Sequence, residues 1–293
     1  MTRSFRAALV QTCTSCDVAR NIDEIGQQIR DASGNGAQYV QTPEVTNVIE
    51  ARGKEQFEKC QPDDGNNVAV NAFADLARDL GLWLHIGSIA VRKSDDKLAN
   101  RAFLFDPIGN IAARYDKIHM FDVAVDGDNR FNESRRYAAG DKAVVTPLPW
   151  GNLGITICYD MRFPGLYRSL AQAGAQIIAV PSAFTVPTGR AHWHALLRAR
   201  AIESQCFIMA AAQVGEHESG RKTYGHSIAI SPWGEILAEA DGLEKTIIYT
   251  DIDMERVDEA RKRVPSLSHD RTYEIVGPAL VDLNERTRET AAS

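Results

Sequence analysis

The chain of 293 residues lacks a surplus of positive charge, a disulfide framework and any long hydrophobic run. Lys and Arg number 33 against 39 Asp and Glu, a formal net charge of −6. Phosphate backbones are bound by basic surfaces, so nucleic acid is not an expected partner. Cys13, Cys16, Cys60, Cys158 and Cys206 make an odd count with no scaffold of pairs, which fits a reducing compartment. The first apolar stretch is interrupted at Gln11. It is too short for a signal segment or a bilayer span, so the sequence predicts no membrane association and a cytoplasmic address. Phosphate loops, dinucleotide fingerprints and calcium loops are missing, so no cofactor is expected. Low-complexity segments and clear linkers are missing too.

What is present is a repeated organisation. Gly36-Ala-Gln-Tyr-Val-Gln-Thr-Pro43 and Gly174-Ala-Gln-Ile-Ile-Ala-Val-Pro181 share a helix-end glycine, a short apolar strand and a proline that stops it. Each is followed by a helix feeding a strand, around Leu76 to Ser88 and around Leu197 to Ala212. Each half then places Pro-x-Gly between two strands, at Pro107 and at Pro232, which is hairpin chemistry. Two such halves can stack sheet on sheet with helices outside, although an ordinary doubly wound sheet fits the same pattern. The segment Phe121 to Lys142 reads as the longest polar loop, and long loops often act as lids. The segment Pro164 to Ala173 reads as a helix with Leu166, Leu170 and Ala173 on one face.

Cys158 ends the apolar run Leu153 to Ile157 and is followed at once by Tyr159-Asp-Met-Arg-Phe-Pro-Gly165. A strand stops there and a tight turn begins. Such a corner lifts the sulfur out of the sheet and leaves the next backbone N–H, that of Tyr159, able to face an oxyanion. A buried cysteine acting as a small hydrophobe is the bland alternative. Cys13-Thr-Ser-Cys16 has redox-motif spacing, but it follows a predicted strand and precedes Asp17, a turn or cap residue, where a thioredoxin-like pair would open a helix. A zinc knuckle needs a second pair, and none exists. His192 and His194 are two apart, which splits them onto different faces of a helix, so no metal is expected there; they read as pocket floor and helix start. On position alone Glu44 is a loop acid after Pro43, Lys117 a surface lysine beside Asp116, and Glu133 a solvated acid.

Three segments change those readings. ICYDMRFPGLYRSLAQAGAQIIAVPSAF around Cys158, QTPE ending in Glu44 and RYDKIHMFDV carrying Lys117 resemble, in order, the nitrilase or carbon-nitrogen hydrolase superfamily. SAFTVPTGRAHWHALLRARAIESQC, AAAQVGEHESGRKTYGHS and PWGEILAE look most like its branch of deaminated glutathione amidases and omega-amidases. The resemblance runs from about Phe5 to Pro265 and implies one domain over 1–272 with a tail over 273–293. It selects the four-layer α-β-β-α sandwich. It implies a cysteine-dependent amidase with Cys158 as nucleophile, Glu44 as base, Lys117 beside the oxyanion and Glu133 positioning substrate or Lys117. One departure is Gly165, where relatives often carry Glu after Phe-Pro; it bears on the turn.

Arg162, four residues beyond Cys158, is a carboxylate-binding candidate by its closeness to the nucleophile, against a structural salt bridge to Asp160 or another acid; the substrates of the resembled branch suit it, and the loop matching the family's pocket wall offers Phe184 and Thr188 as flanking contacts. The same resemblance implies a small amide bearing a carboxylate: deaminated glutathione, or alternatively 2-oxoglutaramate. A nitrile or an N-carbamoyl amine is a further alternative; nitrile-specific relatives usually carry Cys-Trp-Glu where this chain has Cys158-Tyr-Asp160. A noncatalytic protein that keeps the fold is the reading from another class. The resemblance also implies a homodimer or higher homo-oligomer, with the helix after Cys158 contributing to the interface. A partly desolvated Glu44 is expected to have a raised pKa.

Overall fold

The computed structural model describes residues 3–126 and 129–276. The first half runs β1 (Ser4–Gln11), α1 (Val18–Gly34), β2 (Tyr39–Gln41), α2 (Gly53–Lys59), α3 (Val68–Leu80), β3 (Trp83–Arg92), β4 (Leu98–Phe105) and β5 (Ile111–Asp116). A hairpin of β6 (Asp122–Asp126) and β7 (Asn129–Asn132) leads to β8 (Val144–Pro147). The second half continues through β9 (Asn152–Ile155), α4 (Pro164–Gln172), β10 (Ile177–Ala179), α5 (Val186–Ser204) and β11 (Phe207–Ala210). It ends with β12 (Val214–Glu216), β13 (Lys222–Tyr224), β14 (Ile228–Ile230) and β15 (Ile236–Glu239), before β16 (Thr246–Asp253) and α6 (Glu255–Arg263).

Two six-stranded sheets result, ordered β16-β1-β2-β3-β4-β5 and β15-β14-β11-β10-β9-β8. In each, three parallel strands with helical crossovers (β1, β2, β3; β9, β10, β11) are followed by antiparallel ones. The duplication read from the sequence is therefore real at the level of strand order. Gly36 and Gly174 both adopt positive φ, 85° and 99°, the left-handed turn that delivers the chain into β2 and β10. Asp17 caps α1 by accepting from the Arg20 N–H, and Asn67 caps α3 by accepting from Ala69 and Val70, relieving helix ends of unpaired donors.

Alternation along β1 assigns the layers. Ala7 and Leu9 join the apolar cluster that holds Leu153, Ile155, Ile177 and Phe207 of the second sheet, while Ala8 and Val10 pack with Ile25, Ile29, Val70 and Phe73 of α1 and α3. With α4 and α5 covering the other sheet, the architecture is the α-β-β-α sandwich. Its helix, strand and cluster pattern excludes the doubly wound alternative. Among the described residues no helix is long and apolar enough to cross a membrane.

Three expectations need correction. The segment from Phe121 to Lys142 is not one polar loop: it contains the β6–β7 hairpin and a 3-10 turn over Glu133–Arg135. On α4 the buried face is Tyr167, Leu170 and Ala171, with Leu166 half-buried, while Ala173 is the exposed C-cap residue. His192 and His194 do split onto different sides of α5, toward Arg162 and Glu239, but neither lines the main cavity. Of the tail expected over 273–293, residues 277–293 lie outside the described residues.

Candidate active site

Glu44, Lys117 and Cys158, at strand ends of the two sheets, come together with Glu133, which follows the separate β6–β7 hairpin. Glu44 follows β2 and Pro43, Lys117 follows β5, Glu133 opens the 3-10 turn after β7, and Cys158 opens the turn after β9. Cys158 is a non-glycine residue at positive φ, 48°, with its N–H donating to the Pro181 carbonyl at 2.9 Å. Backbone in that region is strained by about 1–3 kcal/mol and persists only where its surroundings hold it. Asp160 does the holding. Wholly buried, it accepts from the Ile157 N–H (2.9 Å), the Tyr115 hydroxyl (2.7 Å) and the His119 N–H (3.0 Å), with His119 Nδ1 at 2.7 Å. It makes no pair with Arg162.

Glu44 is 4% exposed and fully engaged. Its Oε1 accepts from Lys117 Nζ (2.8 Å) and Asn100 Nδ2 (2.9 Å), and its Oε2 from the Ala183 N–H (2.9 Å). Its backbone is pinned as well, by Gln213 Nε2 on the Glu44 carbonyl (3.0 Å) and by the Val45 N–H on Ser88 Oγ (2.7 Å). Lys117 is 2% exposed and does not pair with Asp116. It donates to Glu44 and to both oxygens of Glu133, at 3.0 and 2.9 Å. Glu133 Oε2 also accepts from the Phe121 N–H at 2.7 Å. Asp116 is instead clasped by Arg101.

Two carboxylates and one ammonium around a thiol set the electrostatics. Burial raises the Cys158 thiol well above its usual range, Glu44 raises it further, and Lys117 opposes both only in part. The sulfur therefore rests as a neutral thiol. Burial alone would raise Glu44, but the charge and hydrogen bond of Lys117 outweigh it and hold the carboxyl below the usual range. The expected upward shift is thus reversed. For Lys117 burial acts downward, and Glu133 and Glu44 reverse it, keeping the ammonium charged. An ionised carboxylate facing a neutral thiol, with an ammonium alongside, can take a proton as the sulfur attacks and can steady the anion that forms.

These groups open onto a cavity of 910 Å³ whose lining includes Phe121, Phe131, Tyr159, Phe184 and Thr188. Phe184 and Thr188 are part of the lining and Arg162 is not: its guanidinium lies over the Phe184 ring (5.4 Å) and the Tyr159 ring (5.9 Å), with His192 Nδ1 at 3.3 Å. Sequence reasoning missed Asn100, Asp160 as a brace, Ala183 and the lining residue Arg221. Only Asp160 carried a signal, as the third residue of a turn it could cap.

Cys13 and Cys16 face different partners, Cys13 the Glu216 carbonyl and Cys16 the Ile49 carbonyl, after β1 and just before the cap of α1. His194, His226 and Glu239 each offer one ligand atom within 4.8 Å of the others, away from the cavity, and Glu239 Oε1 satisfies His194 Nε2 at 2.7 Å and His226 Nδ1 at 3.0 Å.

A family profile described as carbon-nitrogen hydrolase matches residues 6–262. A deaminated glutathione amidase of Yersinia enterocolitica is 39% identical over 289 residues, covering 98% of this chain and 100% of its own length. A human omega-amidase is 35% identical over 270 residues, covering 92% of this chain and 96% of its own. Among solved structures, a Saccharomyces cerevisiae member of branch 10 of the nitrilase superfamily superposes with a TM-score of 0.83 at 29% identity, covering 92% of this chain and 97% of its own. With that fold, those relatives and a buried thiol set against a carboxylate and an ammonium, the chain belongs to the carbon-nitrogen hydrolase family and acts on the carbon-nitrogen bonds of amides.

Proposed function

We propose that hydrolysis runs through a thioester on Cys158. Sγ attacks the amide carbonyl as Glu44 takes the thiol proton, so the C–S bond forms without a free thiolate at rest. Negative charge on the carbonyl oxygen is held by Lys117 and the Tyr159 N–H. Glu44 and Glu133 need at least two of the three ammonium N–H groups, and a shared bond to the two Glu133 oxygens leaves the third for the oxyanion. Glu133 and Asn100 keep Lys117 and Glu44 aimed. Glu44 returns the proton to the departing amine as the C–N bond breaks. Water then adds to the thioester, giving its proton to Glu44, and the collapse restores the thiol and releases a carboxylic acid.

The observation that carries this reading is the hydrogen bond from a wholly buried Lys117 to the carboxylate facing Cys158. The substrate is a small amide whose acyl half is a 2-oxo acid. Deaminated glutathione is preferred over 2-oxoglutaramate, supported by the 39% identical relative and by the segment Ala210 to Ser227. Both yield the same acyl-enzyme and differ in the amine that leaves, so the decisive assay measures 2-oxoglutarate from each, together with the intact mass of a quenched reaction. The expected result is a 2-oxoglutaryl adduct on Cys158 and a larger kcat/KM for deaminated glutathione. Turnover by Cys158→Ala refutes the mechanism; a preference for 2-oxoglutaramate refutes the substrate assignment and favours the omega-amidase reading. Neither the nitrile nor the N-carbamoyl alternative is supported by the relatives.

A further inference from the structure

Four cationic side chains line the cavity besides Lys117: Arg135, Arg136, Arg221 and Lys222. Arg136 is occupied by protein oxygens, with Ala51 at 2.6 Å, and Lys222 is exposed and paired with Glu216 at 3.0 Å. Arg135 is exposed. Arg221 differs from all three. It stands just before β13, half-buried, and its Nη2 donates to the Ala183 carbonyl at 2.6 Å. Its Nε is buried with no hydrogen-bond partner, and among the described residues no carboxylate forms an ion pair with it. A guanidinium removed from water with donors unfilled is destabilising unless an anion completes it.

Its place relative to the reacting centre is fixed by one residue. The Ala183 N–H donates to Glu44 Oε2 at 2.9 Å, and the carbonyl of the same residue accepts from Arg221. The guanidinium therefore sits on the far side of a single residue from the carboxylate that faces Cys158. That is the reach of a short acyl chain. In both 2-oxo acid amides considered above, the carboxylate of the acyl half is four bonds from the scissile carbonyl carbon.

Resting on the proposed amidase reading, we propose that Arg221 is the anchor for the carboxylate of the substrate's acyl half, which accepts from Nε–H and a further guanidinium N–H. A planar fork of donors suits a carboxylate in a way that a lysine ammonium does not reproduce. Specificity for carboxylate-ended amides then lies in the β12–β13 connection, not in the turn that carries the nucleophile. Arg162, committed to two aromatic faces and His192, is the comparison residue.

The test is the ratio of kcat/KM for 2-oxoglutaramate to that for pentanamide, a neutral amide of the same carbon count, in wild type, Arg221→Gln, Arg221→Lys and Arg162→Gln. In Arg221→Gln the ratio falls at least tenfold, about 1.4 kcal/mol, through a raised KM for the acid, and Arg221→Lys recovers it in part. A second readout needs no turnover: the glutarate concentration that protects Cys158 from iodoacetamide rises at least tenfold in Arg221→Gln. An unchanged ratio and unchanged protection in Arg221→Gln overturn the assignment, as does a fall confined to Arg162→Gln. Wild type that turns over neither these amides nor deaminated glutathione refutes the amidase reading instead, and the protection experiment still decides the role of Arg221.

Discussion

Gly87 lies against Thr42 and Pro43 of its own half and Pro181 of the other, and replacing it tests whether the spacing of those segments controls the chemistry. It lies in β3 where the pairing with β4 shifts register. A Cβ added there would stand 2.6 Å from the Pro43 carbonyl oxygen and nearer still to the Thr42 carbonyl oxygen and the Pro181 Cβ. Carbon and oxygen approach to about 3.3 Å at closest, so Gly87→Ala pushes apart two strips of chain, Thr42–Pro43 and the one around Pro181, by at least about 0.7 Å. One strip leads directly into Glu44; the other accepts the Cys158 N–H at the Pro181 carbonyl. Base and nucleophile therefore separate. A displacement near 1 Å is worth roughly 100-fold in rate, about 2.7 kcal/mol of barrier, and overpacking adds about 1–3 kcal/mol of lost stability. Steady-state amide hydrolysis and thermal unfolding measure the two effects. The control is Gly165→Ala, where nothing stands within 4 Å of the added carbon; it is expected to be neutral in both assays. A Gly87→Ala enzyme with wild-type stability and kcat/KM within about threefold, some 0.7 kcal/mol, refutes the reasoning.

Further outcomes follow from the same site. Glu44→Gln loses acylation and deacylation together, so pre-steady-state traces show neither burst nor slow turnover. Lys117→Met lowers kcat/KM by roughly 100- to 1,000-fold as an oxyanion donor is removed. Because Lys117 holds the Glu44 carboxyl below its ordinary 4.5, wild-type kcat/KM declines on the acid side only as pH falls through that depressed value, and in Lys117→Met this limb moves to higher pH; a limb that stays fixed contradicts the coupling. Asp160→Asn removes one charged acceptor from the turn under Cys158 and lowers stability by about 1–3 kcal/mol, read by chemical denaturation; a change below 0.5 kcal/mol contradicts its bracing role. The chain is expected to sediment as a homodimer at micromolar concentration with α4 at the interface, and a monomer alone counts against this.

The repeated strand order was legible because its signals are local: a glycine that must turn left-handed before β2 and again before β10, a proline that ends each strand, and Pro-x-Gly in each hairpin. Glu44, Lys117 and Glu133 were not legible from their surroundings, since nothing near them in the chain announces burial; only likeness to a family picked them out. Asn100, Ala183 and Arg221 belong to contacts that span 56, 139 and 38 positions, and no window of sequence contains them. Arg162 was singled out for closeness in sequence to Cys158, but four steps along a 3-10 turn carry a side chain away from the sulfur, onto Phe184. The pKa of Glu44 failed for a related reason. Desolvation can be guessed from a strand end, whereas the opposing lysine arrives from β5.

The site draws its carboxylate and ammonium from one repeat and its sulfur from the other, across the packed faces of the two sheets. Neither repeat holds the whole set, so each is inert without the other, and the first sheet also takes its edge strand β16 from the C-terminal part of the chain. Recovery of hydrolysis after dilution from denaturant therefore reports the joining of the repeats, and it trails the return of the far-ultraviolet helical signal. The same division makes the molecule a natural two-fragment system: a chain cut between Asp141 and Val145 offers an N-terminal piece with Glu44 and Lys117, and a C-terminal piece with Cys158, whose mixing is scored by product.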